Sequence, residues 1–128
     1  MSLKSPLGRV LGLGAAGGGS HHWWLQRLSA IALAPLGAWF VAALAMLPDL
    51  GYVTARTWLA APWHAVPAGL LVATASYHAW LGVRVVVEDY VHDRPRKLVT
   101  LVVLQFLHLA VGAGALFAVL KVALGGAA

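Results

Sequence analysis

Three long runs of apolar residues, each bounded by charge, tryptophan or proline, set the pattern of the chain. Leu28 to Leu47 holds no charged residue; Trp23, Trp24 and Arg27 stand ahead of it and Pro48-Asp49 ends it. His64 to Val83 opens behind Pro62-Trp63 and runs into Arg84, Glu88 and Asp89. Leu98 to Leu120 is apolar apart from Thr100, Gln105 and His108, with Arg94, Arg96 and Lys97 before it and Lys121 after it. A helix rises ~1.5 Å per residue and the hydrocarbon core of a bilayer is ~30 Å thick, so each run suffices for one crossing. The runs are continuous and rich in Ala and Leu, without the two-residue alternation that strands of a membrane barrel require. The pattern predicts an all-α integral membrane protein. Three transmembrane helices within residues 23–125 form an anchor domain, preceded by an N-terminal arm of residues 1–22.

Composition strengthens this reading. Of 128 residues 61% are apolar and only 10% charged, which leaves too little polar sequence for a soluble catalytic domain. The chain has no cysteine, which excludes a disulfide framework, a Cys-ligated iron–sulfur cluster and covalently attached c-type haem. The net charge of +5 comes from basic residues at span ends, where they act as topology signals rather than as a nucleic-acid surface. Lys4, Arg9, Arg27, Arg94, Arg96 and Lys97 fall on one side of the bilayer and Arg56 and Lys121 on the other. This asymmetry predicts a cytoplasmic N-terminus. The loop from Pro48 to Ala61 and the Gly125-Gly126 tail then face the opposite side, the periplasm in a bacterium.

The arm places Lys4 and Arg9 ahead of Val10-Leu11, in the manner of a signal peptide, but its apolar core is short and broken by Gly12 and Gly14, so cleavage is not expected. Gly12-Leu13-Gly14-Ala15-Ala16-Gly17 matches the dinucleotide fingerprint in spacing alone. No strand precedes it and no acidic residue occurs before Asp49, so the match is compositional chance. Ala30, Ala34, Ala38 and Ala42 recur at four-residue spacing, as do Ala110, Gly114 and Ala118. Such stripes allow close approach of another helix, in this chain or in a partner.

An ionisable residue inside a span is costly and faces a cavity, a partner or a cofactor. His78 lies 15 residues after Trp63 and 12 before Tyr90, hence ~22 Å and ~18 Å from these interface markers and near mid-membrane. On its helical face stand Thr74, Ala75, Leu81 and Gly82, three of them small, which leaves room for a flat group. A neutral imidazole is a good axial ligand for haem iron. A histidine hydrogen-bonded to a neighbouring helix satisfies position and facing equally well.

The segment around His78, read as His78-Ala79-Trp80-x-Gly82 followed by Asp89-Tyr90-Val91, closely resembles the hydrophobic membrane anchor subunit of succinate dehydrogenase. Gln26-Arg27-Leu28-Ser29-Ala30-Ile31 is similar to that family's Arg-x-[Ser/Thr]-Ala-Ile opening of the first span. The resemblance covers all three spans and is weakest in the arm and the first loop. It implies a share in a haem-binding helical bundle, with His78 as one axial ligand of haem b iron and the companion cytochrome b subunit supplying the other. It implies that Tyr90 donates a hydrogen bond to ubiquinone, that Asp89 tunes or orients that phenol, and that Arg27 approaches a haem propionate, with His21 a weaker candidate.

The implied role is a non-catalytic membrane subunit of respiratory complex II. Electron transport and the tricarboxylic acid cycle would meet there through an iron–sulfur subunit and a flavoprotein subunit. A phenol suits this place because it is a neutral donor, although aromatic-belt anchoring is the ordinary role of Tyr at this depth. Arg27 has a plainer role as well, snorkelling at the boundary. Arg84 could snorkel, pair with Glu88 or reach a propionate, and His64 and His108 read as hydrogen-bonded structural histidines. His21, His22 and His92 are expected at the cytoplasmic surface, and Asp93, Arg94, Arg96 and Lys97 in an interfacial loop. Two other classes fit the topology: a haem-free structural or assembly anchor, and a small transporter component. The latter is disfavoured by the lack of paired intramembrane carboxylates.

Overall fold

The computed structural model describes residues 17–125. These form four helices: α1 (Gly17–Ala45), α2 (Tyr52–Ala60), α3 (Pro62–Tyr90) and α4 (Arg94–Leu124). No strand occurs among the described residues. Helices α1, α3 and α4 are the three expected spans, long and apolar enough to cross a membrane. They contain 29, 29 and 31 residues. At ~1.5 Å per residue each is roughly 45 Å long, more than the hydrocarbon core, so their ends reach the headgroup layers. Lys4, Arg9 and the fingerprint match, but for its last glycine, lie outside the described residues.

Local chemistry sets the helix ends. Pro62 opens α3 at its first turn, where a missing N–H costs nothing. Asp93 caps α4 by accepting the Arg96 N–H at 3.0 Å. Arg94, Arg96 and Lys97 are therefore the first turn of α4 rather than the expected loop: a cap at Asp93 and a proline at position 95 start the helix ahead of the apolar run. The Lys97 ammonium donates to the Glu88 carbonyl at 2.8 Å, tying the short α3–α4 turn.

The loop expected at Pro48 to Ala61 also contains structure. Asp49 accepts the Gly51 N–H at 2.7 Å and the Thr54 hydroxyl at 2.9 Å, and α2 follows for nine residues. Its Trp58 docks it on the bundle. The indole stacks on Trp39 of α1 with centroids 5.8 Å apart and on His64 of α3 at 4.6 Å.

α3 is the central element. α1 packs along it and α4 packs along it, whereas the backbones of α1 and α4 stay apart. Both pairs are antiparallel. Gln26 and Ser29 of α1 reach Gly82 and His78, and Gly112 and Leu116 of α4 reach Ser76 and Gly69. The packed centre is small, with Ala65, Ala68 and Val119 buried against Trp39, Leu59, Val72 and Ala123. Large side chains such as Ile31, Val41, Phe106 and Phe117 face outward, as befits a surface solvated by lipid tails. The stripes of small residues also face outward: Ala30, Ala34, Ala38 and Ala42 are exposed, as are Ala110, Gly114 and Ala118. Within this chain, close approach uses Gly112 and Gly69 instead.

Candidate functional site

Ser29 is 7% exposed, the one buried polar side chain among the described residues. It lies on α1 three residues after Gln26, so the two share a face, and that face meets α3 at His78. The Ser29 hydroxyl donates to the Gln26 carbonyl at 3.0 Å. The same oxygen lies 2.9 Å from His78 Nδ1. A hydroxyl carries one proton, and a carbonyl can only accept, so both contacts hold together only if His78 Nδ1 carries the ring proton and donates to Ser29. His78 Nε2 is then the lone-pair nitrogen, and it accepts the Gln26 side-chain amide at 3.3 Å. Gly82, one turn beyond His78, faces that amide; a Cβ there would stand in ordinary contact, 3.7 Å from Gln26 Nε2.

The seam is incompletely satisfied. Gln26 Oε1 and His22 Nε2 are buried, and neither has a hydrogen-bond partner among the described residues. These residues are one turn apart on α1, between the N-terminal end of the helix and His78. The expectation of a surface His22 is thus corrected: α1 begins well before it and turns one edge of the ring inward, while His21 and His92 are exposed as expected.

The side chains present fit an iron ligand. A ligating histidine needs a free lone pair on one nitrogen and a hydrogen-bond acceptor on the other, and Ser29 is that acceptor. Coordination at Nε2 requires the Gln26 amide to turn away, and its unpartnered oxygen offers no second hold on that amide. No three His, Asp or Glu side chains converge among the described residues, so the site offers one imidazole rather than a complete metal cage.

The other expected residues lie at the rim. Tyr90 ends α3 and is 79% exposed. Asp89 is also exposed, and no hydrogen bond joins the two. At 3.6 residues per turn, Tyr90 is rotated ~120° from His78 about the α3 axis, whereas Asp89 falls within ~20° of it. Arg27 is exposed and lays its guanidinium over the Trp23 ring, 5.0 Å from the centroid. Arg84 pairs with Glu88 at 2.7 Å, one of its three expected options.

His64 and His108 are hydrogen-bonded as expected, through Nδ1 to the Trp58 carbonyl at 2.9 Å and to the Leu104 carbonyl at 2.7 Å. His108 lines, with Ser76, Tyr77, Trp80 and Gln105, a mostly apolar groove of about 450 Å³ between α3 and α4. Gln26 and Ser29 were not singled out by the sequence as partners of His78. Their signal was a polar pair three residues apart at the head of an otherwise apolar run.

A membrane subunit of three spans, with a mid-membrane histidine bonded between two of them, is the class that fold and site define. Residues 1–120 match the family described as succinate dehydrogenase/fumarate reductase transmembrane subunit. The chain is 31% identical over 103 residues to the succinate dehydrogenase hydrophobic membrane anchor subunit of Rickettsia conorii, covering 80% of this chain and 82% of that one. It is 30% identical over 125 residues to the subunit of the same description from Paracoccus denitrificans, covering 98% and 96%. The chain belongs to the succinate dehydrogenase/fumarate reductase transmembrane subunit family. The resemblance read from the segments around His78 and Arg27 thereby holds at the level of a membrane anchor subunit.

Proposed function

We propose that this chain anchors a succinate:quinone oxidoreductase in the bacterial plasma membrane and supplies His78 as one axial ligand of a b-type haem. The observation that carries the reading is the pair of contacts at Ser29 Oγ, to the Gln26 carbonyl and to His78 Nδ1, from which a lone pair on His78 Nε2 follows. Haem, when bound, supplies a one-electron redox centre between the spans. The chain's own contribution is to hold the imidazole in that tautomer and to shield it from water between α1 and α3.

A cytochrome b subunit supplies the second axial ligand, and the outward stripes at Ala30–Ala42 and Ala110–Ala118 suit its helices. Arg27, which rests on the Trp23 ring, can exchange that contact for a propionate carboxylate. Tyr90 presents its phenol at the rim, where it donates a hydrogen bond to a ubiquinone carbonyl, with Asp89 beside it. Succinate oxidation takes place on a flavoprotein subunit, connected through an iron–sulfur subunit that docks on the same rim.

Replacing His78 by leucine in the purified complex tests this reading. The low-spin bis-imidazole haem spectrum is expected to disappear while the subunits still co-purify. An unchanged spectrum removes His78 from the ligand set. One observation favours a second reading, a haem-free anchor: both ring nitrogens of His78 already have partners in Ser29 and Gln26. That reading requires the wild-type complex to show no haem absorption.

A further inference from the structure

We propose that Ser29 is the positioning residue for His78, setting both which ring nitrogen faces the iron and how strongly it binds. The inference rests on the haem-ligand reading and extends it to a residue of another helix.

Three features carry it. First, Ser29 Oγ accepts from His78 Nδ1 at 2.9 Å while its own proton goes to the Gln26 carbonyl at 3.0 Å. The ring proton is thereby connected, through one hydroxyl, to the backbone of α1. Rotation of the imidazole breaks that connection, so the backbone of one helix orients a side chain of the next. Second, Ser29 is buried, at 7% exposure, so no bulk water stands ready to take over from the hydroxyl. Loss of the acceptor leaves the Nδ1–H unsatisfied in a low-dielectric setting, where such a group is costly. Third, the competing contact is weaker by geometry. The Gln26 amide reaches Nε2 at 3.3 Å, beyond the usual range of a good hydrogen bond, and its oxygen has no partner among the described residues. The seam therefore grips Nδ1 firmly and Nε2 loosely, which suits a ring whose Nε2 is to be given to a metal.

A hydrogen bond accepted from Nδ1–H increases the basicity of the other nitrogen. A more basic imidazole favours ferric over ferrous iron, so removing the acceptor raises the haem midpoint potential. No proton leaves the ring and no bond is broken in this role.

The test is Ser29→Ala and Ser29→Thr in the full complex, each read by redox titration of the haem and by its low-spin electron paramagnetic resonance signal. Ser29→Ala is expected to raise the midpoint potential, shift the low-spin g-values and weaken haem retention ~10–100-fold; Ser29→Thr, which keeps the hydroxyl, is expected to restore all three. Loss of thermal stability in Ser29→Ala with wild-type potential and g-values would mean that Ser29 is structural only, and overturns the proposal.

Should Ser29→Ala fail to assemble, nitrogen-15 histidine labelling of the wild-type complex, reduced to its diamagnetic ferrous state, gives the same answer. A protonated Nδ1 on His78, hydrogen-bonded to a hydroxyl, supports the proposal, and a proton on Nε2 overturns it. His78→Leu separates the two layers. If it keeps the bis-imidazole signal, the underlying haem reading fails. If it loses that signal while Ser29→Ala leaves potential and g-values unchanged, only the role of Ser29 fails.

Discussion

At the scale of residues, the polar groups divide by depth. Near mid-membrane a hydroxyl, an amide and an imidazole close on one another between α1 and α3. At the rim stand Tyr90, Asp89 and Arg27, exposed and free to meet other chains. That difference makes Tyr90→Phe a clean probe, because the substitution removes one hydrogen-bond donor from a largely exposed side chain. The ring and its interfacial anchoring stay. A hydrogen bond contributes about 1 kcal/mol net, or roughly fivefold, so quinone reduction is expected to show about that rise in KM. Succinate oxidation by a soluble artificial acceptor should remain at the wild-type rate, and equal loss of both activities contradicts a local role. His78 was legible in the sequence because an imidazole in a continuous apolar run stands out. Its partners were not, because pairing across two helices depends on their relative rotation, which periodicity within one helix does not contain. Ser29 also looks ordinary in a span, where small hydroxyl residues are tolerated.

Elements follow the same division between what length reveals and what packing decides. The three spans were readable from ~20-residue apolar runs, since no soluble helix needs that much continuous hydrophobicity. α3 and α4 exceed their runs at both ends, and proline and capping chemistry, at Pro62 and Asp93, sets where they start, whereas α1 starts well ahead of its run and stops at Ala45, just short of the run's end. α2 was missed, since nine residues are too few for a periodic signal and its attachment lies in tertiary stacking of Trp58 on Trp39 and His64. Choice of packing face was also hidden. The regular small-residue stripes invite the guess that they mediate contact, yet α3 and α4 approach closely at Gly112. A Cβ there would stand 2.8 Å from Ser76 Oγ and 3.0 Å from Ser76 Cβ. Turning the hydroxyl relieves the first contact, but the second is fixed to the backbone, so Gly112→Ala forces the helices apart. A cost of about 1–3 kcal/mol is expected from overpacking of this kind, measurable as a lower midpoint of thermal unfolding in detergent. Adding Ser76→Gly should recover most of the loss. Gly114→Ala, with nothing within 4 Å of its Cβ among the described residues, should leave the isolated chain unaffected.

For the molecule as a whole, charge placement determines how the bundle sits and therefore which rim meets soluble subunits. Helix α1 starts, α3 ends and α4 starts at one rim, because consecutive spans run antiparallel. Arg27, Arg84, Glu88, Asp89, Asp93, Arg94, Arg96 and Lys97 therefore lie toward one end, and Asp49, Arg56 and Lys121 toward the other. Topology responds to Lys and Arg near span ends rather than to net charge. Arg84 is paired with Glu88 within α3, and Asp93 lies 3.9 Å from Arg96, but carboxylate partners do little to cancel this effect. The basic first turn of α4, with Arg94, Arg96 and Lys97, is thus the strongest single determinant. A C-terminal fusion to alkaline phosphatase, active only after export, should be active, and a fusion to green fluorescent protein at the same point should be dark. Replacing Arg94, Arg96 and Lys97 together by glutamine leaves Lys4, Arg9, Arg27 and Arg84 against Arg56 and Lys121, four against two in place of seven against two. With the asymmetry so reduced, both reporters should give partial signals as inserted chains divide between orientations. An active phosphatase fusion in the triple variant with no fluorescence would mean that topology is imposed by the partner helices. Reporter dominance the other way round in the wild type would put Tyr90 on the exported face, away from the cytoplasmic side on which the iron–sulfur subunit is proposed to dock.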